Sequence, residues 1–584
     1  MYQLLVVCAV IGFLSADVAG GGSNSPTSAD LILTGGRVFT LAETEPSPPP
    51  TAVAMAGDRI VFVGDDAGAL ALRDETSEVR DLAGAVVIPG FCDGHAHLYS
   101  LGKALAEVDL VGTSSAEEVV SRARTAAAAM PPGIWLEGRG WDQNDWPQSE
   151  FPDRELLDAA VGDRPVLLRR VDGHAAWANS EALRLAGVDA GTADPDGGRI
   201  VRRSDGEPTG ILVDNAIDLV RDLIPAVAPE EIRRRVGLAV AHCHRYGITG
   251  MHDAGAPNDR LDLFVELAEA DELGLRLYCM LNDKPETLAA WLPRGIYVSD
   301  DGMLTIRAVK LFADGALGSR GALLLDSYSD EPGNSGLLVT SREQLLDLCR
   351  QAGEAGYQVC THAIGDGGNQ VTLDVYEAVL TEQQLDETRW RVEHAQILQP
   401  SDIPRFAGLG VIASVQPVHC TSDMDWAEQR VGPERIAGAY AWRSLLDSGA
   451  VLSFGTDAPV EHVNPLHGLY SARTRTHHDG SPAGGWFPEQ CLTGREALRL
   501  YTTGPAYAAF QEQELGQVRA GYLADLTVLD GDPVACPPEE LLQMQVLLTV
   551  VGGKVRYDGC LRTGTMNYVP DEVDPRTVRR ADYE

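Results

Sequence analysis

Lysine is nearly missing from this chain. Of 47 basic residues only Lys103, Lys284, Lys310 and Lys554 are lysines, against 85 acidic residues and a formal net charge of −38. Such a charge repels phosphate backbones and anionic lipids, so nucleic acid and membrane surfaces are excluded as partners. An acidic, lysine-poor surface suits high salt, and Arg-rich codon usage accounts for it equally well. Ten cysteines contain no Cys-x-x-Cys pair, and no disulfide framework is expected. No apolar run is long enough to span a bilayer. The longest at the N-terminus, residues 4–14, has signal-peptide length, but no Lys or Arg precedes it. Export is expected if residues 1–28 are a signal peptide with a Gly/Ser-rich linker. A cytoplasmic protein is expected if they are only a disordered leader.

The 584 residues exceed one ordinary core, and 44% hydrophobic with 23% charged residues is a globular composition. Residues 86–98 read as one buried strand ending in His95-Ala96-His97. Strand side chains alternate faces, so two histidines at i, i+2 point the same way and can share one metal ion. Alone this signal is weak. Further ligand types end later apolar runs: Cys360-Thr361-His362, Val392-Glu393-His394 and Phe454-Gly455-Thr456-Asp457, with Lys310 lying between His97 and His362. Ligands at the C-terminal ends of strands spread over the chain predict an α/β fold with a (β/α)8 TIM barrel.

Three further motifs carry a resemblance: Pro89-Gly90-Phe91, Lys310-Leu311-Phe312-Ala313-Asp314-Gly315-Ala316-Leu317-Gly318-Ser319-Arg320, and Thr361-His362-Ala363-Ile364-Gly365-Asp366. With Glu393-His394-Ala395 and Gly455-Thr456-Asp457-Ala458-Pro459, the sequence resembles the amidohydrolase superfamily. Within it, the chain is similar to the YtcJ-like group that includes N-substituted formamide deformylase. The likeness runs over about residues 29–557.

Short alternating strands at both ends, residues 29–88 and 513–562, are expected to pair into one small β-sandwich. Residues 89–512 would form the barrel, and 563–584 a tail. The stretch at about 101–229 is expected to be an insertion over the barrel mouth, with Trp135, Trp141 and Trp146 partly in its own core. The alternation places strand two at residues 248–253, strand four at 305–312, and later strands ending at His362, His394, near Gln416 and at Asp457. Capping boxes are expected at Ser341/Gln344 and Thr493/Glu496.

The resemblance implies a site. His95, His97 and Asp457 would hold one divalent metal, and His362 and His394 a second. Lys310 would bridge them as a carbamate. Zinc suits these ligands best, with Fe, Mn or Co as alternatives. The implied reaction is hydrolysis of a non-peptide carbon–nitrogen bond, as in an N-acyl or N-formyl amine, by attack of a metal-bound hydroxide. Asp457 would be the catalytic proton carrier. His174, His252, Arg320 and His419 are the candidates for binding a small-molecule substrate, and self-association is left open. Two other readings stand beside this one: a mononuclear deaminase, which would lack the bridging lysine, and a non-catalytic barrel, which would lose ligands.

Overall fold

The apolar run at residues 86–98 is not one strand. Val86–Pro89 pairs with Leu526–Leu529 in one sheet, and Phe91–Ala96 opens another. Gly90 separates them. A Cβ there would lie 2.1 Å from Thr249 Oγ1, so only glycine lets the backbone pass. Its N–H donates to Asp525 O at 2.9 Å.

This computed structural model describes residues 28–559, apart from 131–132, 144–145, 148–149, 171–174, 196–197 and 226. The leader and the tail lie outside the described residues. No described helix is long and apolar enough to cross a membrane. The eight described cysteines are free thiols.

Both chain ends build the small domain. One sheet joins Arg59–Gly64, Ala52–Ala56, Leu31–Thr34 and Glu78–Asp81. The other joins Arg37–Val38, Val86–Pro89, Leu526–Leu529, Val546–Val551 and Lys554–Asp558. Leu31, Leu33, Val53 and Met55 of the first share one buried cluster with Val87, Leu526, Val528 and Leu548 of the second. Such a two-sheet core is a β-sandwich. The alternating stretch at residues 29–41 is divided at Gly35-Gly36 between the two sheets.

Eight parallel strands form the barrel: β1 (Phe91–Ala96), β2 (Ile248–Ala256), β3 (Arg276–Leu281), β4 (Leu304–Phe312), β5 (Gln358–Ala363), β6 (Arg391–His394), β7 (Ile412–Val415) and β8 (Leu452–Phe454). They pair in sequence order from β1 to β8. Their faces are almost wholly buried, as runs such as Arg276-Leu-Tyr-Cys-Met-Leu281 require of a parallel sheet between helices. The ring closes between β8 and β1. Asp457 N donates to His95 O at 2.7 Å, and His97 N donates to Ala458 O at 2.8 Å. The Asp93 carboxylate accepts from Thr456 N at 2.9 Å and from its hydroxyl. A Cβ on Gly455 would lie 2.4 Å from His95 N, so this close approach needs glycine.

Both capping boxes are present. Ser341 opens Arg342–Glu354, and Thr493 opens Gly494–Leu500. Within the long segment after β1, six strands between Val108 and Asp214 form a sheet of their own. Trp135, Trp141 and Trp146 are core residues of that segment. The Trp141 indole donates to Leu168 O at 2.8 Å, and the Trp146 indole to Thr113 O at 2.9 Å.

Candidate metal centre

The structure brings His95, His97, Lys310, His362, His394 and Asp457 to one end of the barrel. Each stands at or just beyond the C-terminal end of its strand, where barrel sites are built. His95 Nε2 and His97 Nε2 lie 3.5 and 3.2 Å from the same oxygen, Asp457 Oδ1. One atom each of His95, His394 and Asp457 lie within 4.8 Å of one another. The His362 and His394 ring centres are 4.5 Å apart. Lys310 Nζ sits 3.5 Å from His95 Nε2 and 4.9 Å from the Phe312 ring centre.

His394 and Asp457 share a backbone feature: their φ angles are +73° and +60°. Non-glycine residues adopt this region rarely and at a cost, and functional sites are where such strain concentrates. His394 and its strand neighbour Glu393 both reach buried partners, Gln416 and His95.

The imidazoles are anchored from behind. His95 Nδ1 meets Glu393 Oε2. His394 Nδ1 meets Gln416 Oε1 at 2.8 Å. Both oxygens are acceptors, so Nδ1 carries the proton in each ring and Nε2 is left with its lone pair. His362 is buried, and among the described residues its Nε2 has no hydrogen-bond partner. It lies 3.8 Å from Asp314 Oδ1.

Burial and the Lys310 cation push His362 down to about 3. Burial and neighbouring charges likewise lower His95 and His394. All three rings are therefore neutral near pH 7. Burial alone would raise Asp457, but the His97 hydrogen bond and the surrounding imidazoles outweigh it and hold the carboxyl well below its usual range. Burial lowers the Lys310 ammonium. Neutral imidazoles around an ionised carboxylate are the donor set that divalent metals take, so the residues fit such an ion.

The other candidates fall differently. His419, on the helix Pro417–Asp423, stacks on His394 at 5.9 Å and places Nε2 3.7 Å from Asp457 Oδ2. His252 was expected to end strand two. Instead β2 runs on to Ala256, and His252 is buried mid-strand, with Arg391 donating to its Nδ1 at 2.8 Å. There it braces the barrel interior through Arg391. Arg320 pairs with Asp330 at 2.9 Å and Glu331 at 3.3 Å. His174 lies outside the described residues.

Sequence reasoning passed over three supporting residues. Arg391 and Glu393 stand at i, i+2 on β6, both fully buried. Two opposite charges on one face of an otherwise apolar strand were the available signal. Asp314 accepts from Ile364 N, Gly365 N and Leu323 N at 2.8–2.9 Å, tying the loop after β4 to the end of β5. Nothing in its motif marked it as a backbone clamp.

The family model described as "Amidohydrolase family" matches residues 78–557. This chain belongs to the amidohydrolase family. It is 35% identical over 493 residues to YtcJ of Bacillus subtilis (strain 168), provisionally named an amidohydrolase, covering 83% of this chain and 91% of that protein. It is 30% identical over 535 residues to N-substituted formamide deformylase of Arthrobacter pascens, covering 88% of this chain and 95% of that one. A solved structure, an uncharacterized metal-dependent hydrolase from Pyrococcus furiosus, superposes with a TM-score of 0.70 at 30% identity. That match covers 86% of this chain and 99% of the other. The chain is accordingly a metal-dependent hydrolase acting on carbon–nitrogen bonds.

Proposed function

We propose that this amidohydrolase cleaves a non-peptide amide, an N-acyl or N-formyl amine, with two divalent ions, zinc before Fe, Mn or Co. The observation that carries this reading is the buried Lys310 amine, 3.5 Å from His95 Nε2 in a cluster of neutral imidazoles. The relative named N-substituted formamide deformylase supports the substrate class.

In this reading His95, His97 and Asp457 hold one ion, and His362 and His394 the other. An unmodified ammonium at Lys310 would repel both. Its amine would react with CO₂, forming an N–C bond and releasing a proton, and the carbamate would replace the cation with anionic oxygen suited to holding divalent ions. When bound, such an ion pair polarises a carbonyl and lowers the pKa of water toward about 7.

The chain's own residues then manage position and protons. Asp457 is ionised and takes a proton from the attacking water. It passes that proton to the leaving nitrogen, which departs as a neutral amine because an amide anion is too poor a leaving group. Glu393 and Gln416 hold the ligand rings in one tautomer. His419, beside both His394 and Asp457, is the substrate-binding candidate nearest the cluster.

A second reading keeps one metal and releases ammonia from a ring carbon. The tight set of His95, His394 and Asp457 favours it. Lys310 counts against it, since a single ion needs no bridge. Elemental analysis of zinc-loaded protein, with rates on panels of N-acyl amines, N-formyl amines and aminated heterocycles, separates the two. Two ions per chain and turnover of amides support the first reading. One ion, with ammonia release from heterocycles alone, overturns it.

A further inference from the structure

We propose that Glu393 is a positioning residue that sets metal affinity on the His95 side of the centre, with Arg391 as its anchor. The inference rests on the two-ion reading above and concerns only how one side is held.

Glu393 is fully buried. One carboxylate oxygen receives the His95 Nδ1 proton, and the other forms an ion pair with Arg391 Nε at 2.7 Å. Held against the Arg391 guanidinium on one side, the carboxylate faces the His95 ring as an acceptor on the other. The His95 proton is fixed on Nδ1, and the lone pair on Nε2 faces Lys310 and Asp457, 3.5 Å from each. A carboxylate behind a ligand imidazole fixes the ring's orientation and raises its basicity toward a metal.

Arg391 makes Glu393 immobile. It donates to Gly94 O at 2.6 Å on β1, His252 Nδ1 at 2.8 Å on β2 and Ser414 Oγ at 2.9 Å on β7. From β6 it therefore reaches three other strands across the barrel interior. An arginine fork with this many partners has one orientation.

The two sides of the centre are unequal. Behind His394 stands the neutral Gln416 amide, whereas behind His95 stands a full negative charge. Removing Glu393 should thus weaken one ion and spare the other. The competing explanation is that Glu393 is present only to neutralise buried Arg391. Replacing both partners of a buried ion pair leaves no unpaired charge, so the E393Q/R391Q double variant separates the two explanations.

The experiment loads parent, E393Q and E393Q/R391Q with Zn²⁺ alone. It measures bound zinc by elemental analysis and affinity by chelator competition, with circular dichroism as the fold control. The expected result is two ions in the parent and, in both variants, one ion held as before and the other, on the His95 side, held roughly 10- to 100-fold more weakly. Parent-like affinity in the double variant would overturn the proposal and leave Glu393 a counter-charge. So would parent-like affinity in E393Q. Where E393Q does not fold, the double variant decides. A parent that binds one ion, weakened by E393Q, would sink the two-ion reading while this inference stands.

Discussion

Arg276 and Asp525 join the barrel to the sandwich through a two-pronged ion pair, with side chains only 6% and 4% exposed. Nε donates to Oδ2 at 2.6 Å and Nη2 to Oδ1 at 3.1 Å. Asp525 also accepts from Gly552 N at 2.8 Å. Burial would lower the Arg276 guanidinium, but Asp525 raises it. Removing one partner strands a buried charge, so Asp525→Ala should cost about 3–5 kcal/mol. The double replacement Arg276→Met with Asp525→Leu should cost much less. Shifts in the urea midpoint measure both. A loss under about 1 kcal/mol in Asp525→Ala would show that water screens the pair as it does at a surface.

His244 should make the fold acid-sensitive. It is 6% exposed, and its Nε2 donates to Gly274 O at 3.0 Å. Burial pushes it down to about 4, only partly countered by that carbonyl. An unfolded histidine titrates near 6.5, so between about pH 6.5 and 4 the unfolded chain binds the extra proton. The stability is present above pH 6.5 and is lost as pH falls toward 4, on the order of 3 kcal/mol in full. His244→Gln should therefore lose less melting temperature than the parent between pH 7 and pH 5. The metal cluster is common to both proteins, so the difference isolates His244. Parallel curves would rule His244 out as the acid-sensitive group.

The barrel was legible because its strands are apolar runs that end in metal-ligand residue types. His95, His362 and His394 each close such a run, and Asp457 follows one by three residues. What escaped was set by contacts far apart in sequence. The break at Gly90 depends on Thr249 and Asp525, which no local pattern reveals. The placement of His252 depends on β2 running past it to Ala256, and on Arg391, 139 residues later, donating to its ring. Glu393 and Arg391 looked like ordinary strand charges because their partners, on β1, β2 and β7, are brought together only when the barrel closes. Residues 29–41 show the opposite case: the local pattern is continuous, and the competition between two sheets divides it.

The acidic surface carries a prediction of its own. With 85 acidic against 47 basic residues, self-repulsion among carboxylates should weaken the fold at low ionic strength. The Debye length falls to about 3 Å at 1 M salt, so neighbouring carboxylates then cease to repel. If the composition is a salt adaptation, melting temperature should rise steadily from 50 mM to molar KCl. A flat profile would attribute the scarcity of lysine to codon usage.

The burial of Lys310 and its 3.5 Å approach to His95 Nε2 place a primary amine where the proposed two-ion site would need a bridging anion. Lys310→Ala should lose metal and activity by more than the roughly 10- to 100-fold typical of losing an outer partner. Acetate or propionate should partly restore both, because a small carboxylate fits the vacated space and supplies anionic oxygen. Lys310→Arg should resist such rescue, since the guanidinium stays charged and fills the site. In the parent, metal reconstitution should slow under CO₂ depletion and recover with bicarbonate. Mass spectrometry under native conditions, with bicarbonate present, should show a gain of one CO₂ in the parent and none in Lys310→Ala. Normal metal content and rate in Lys310→Arg would make Lys310 a structural cation, and the one-metal deaminase reading would then be preferred.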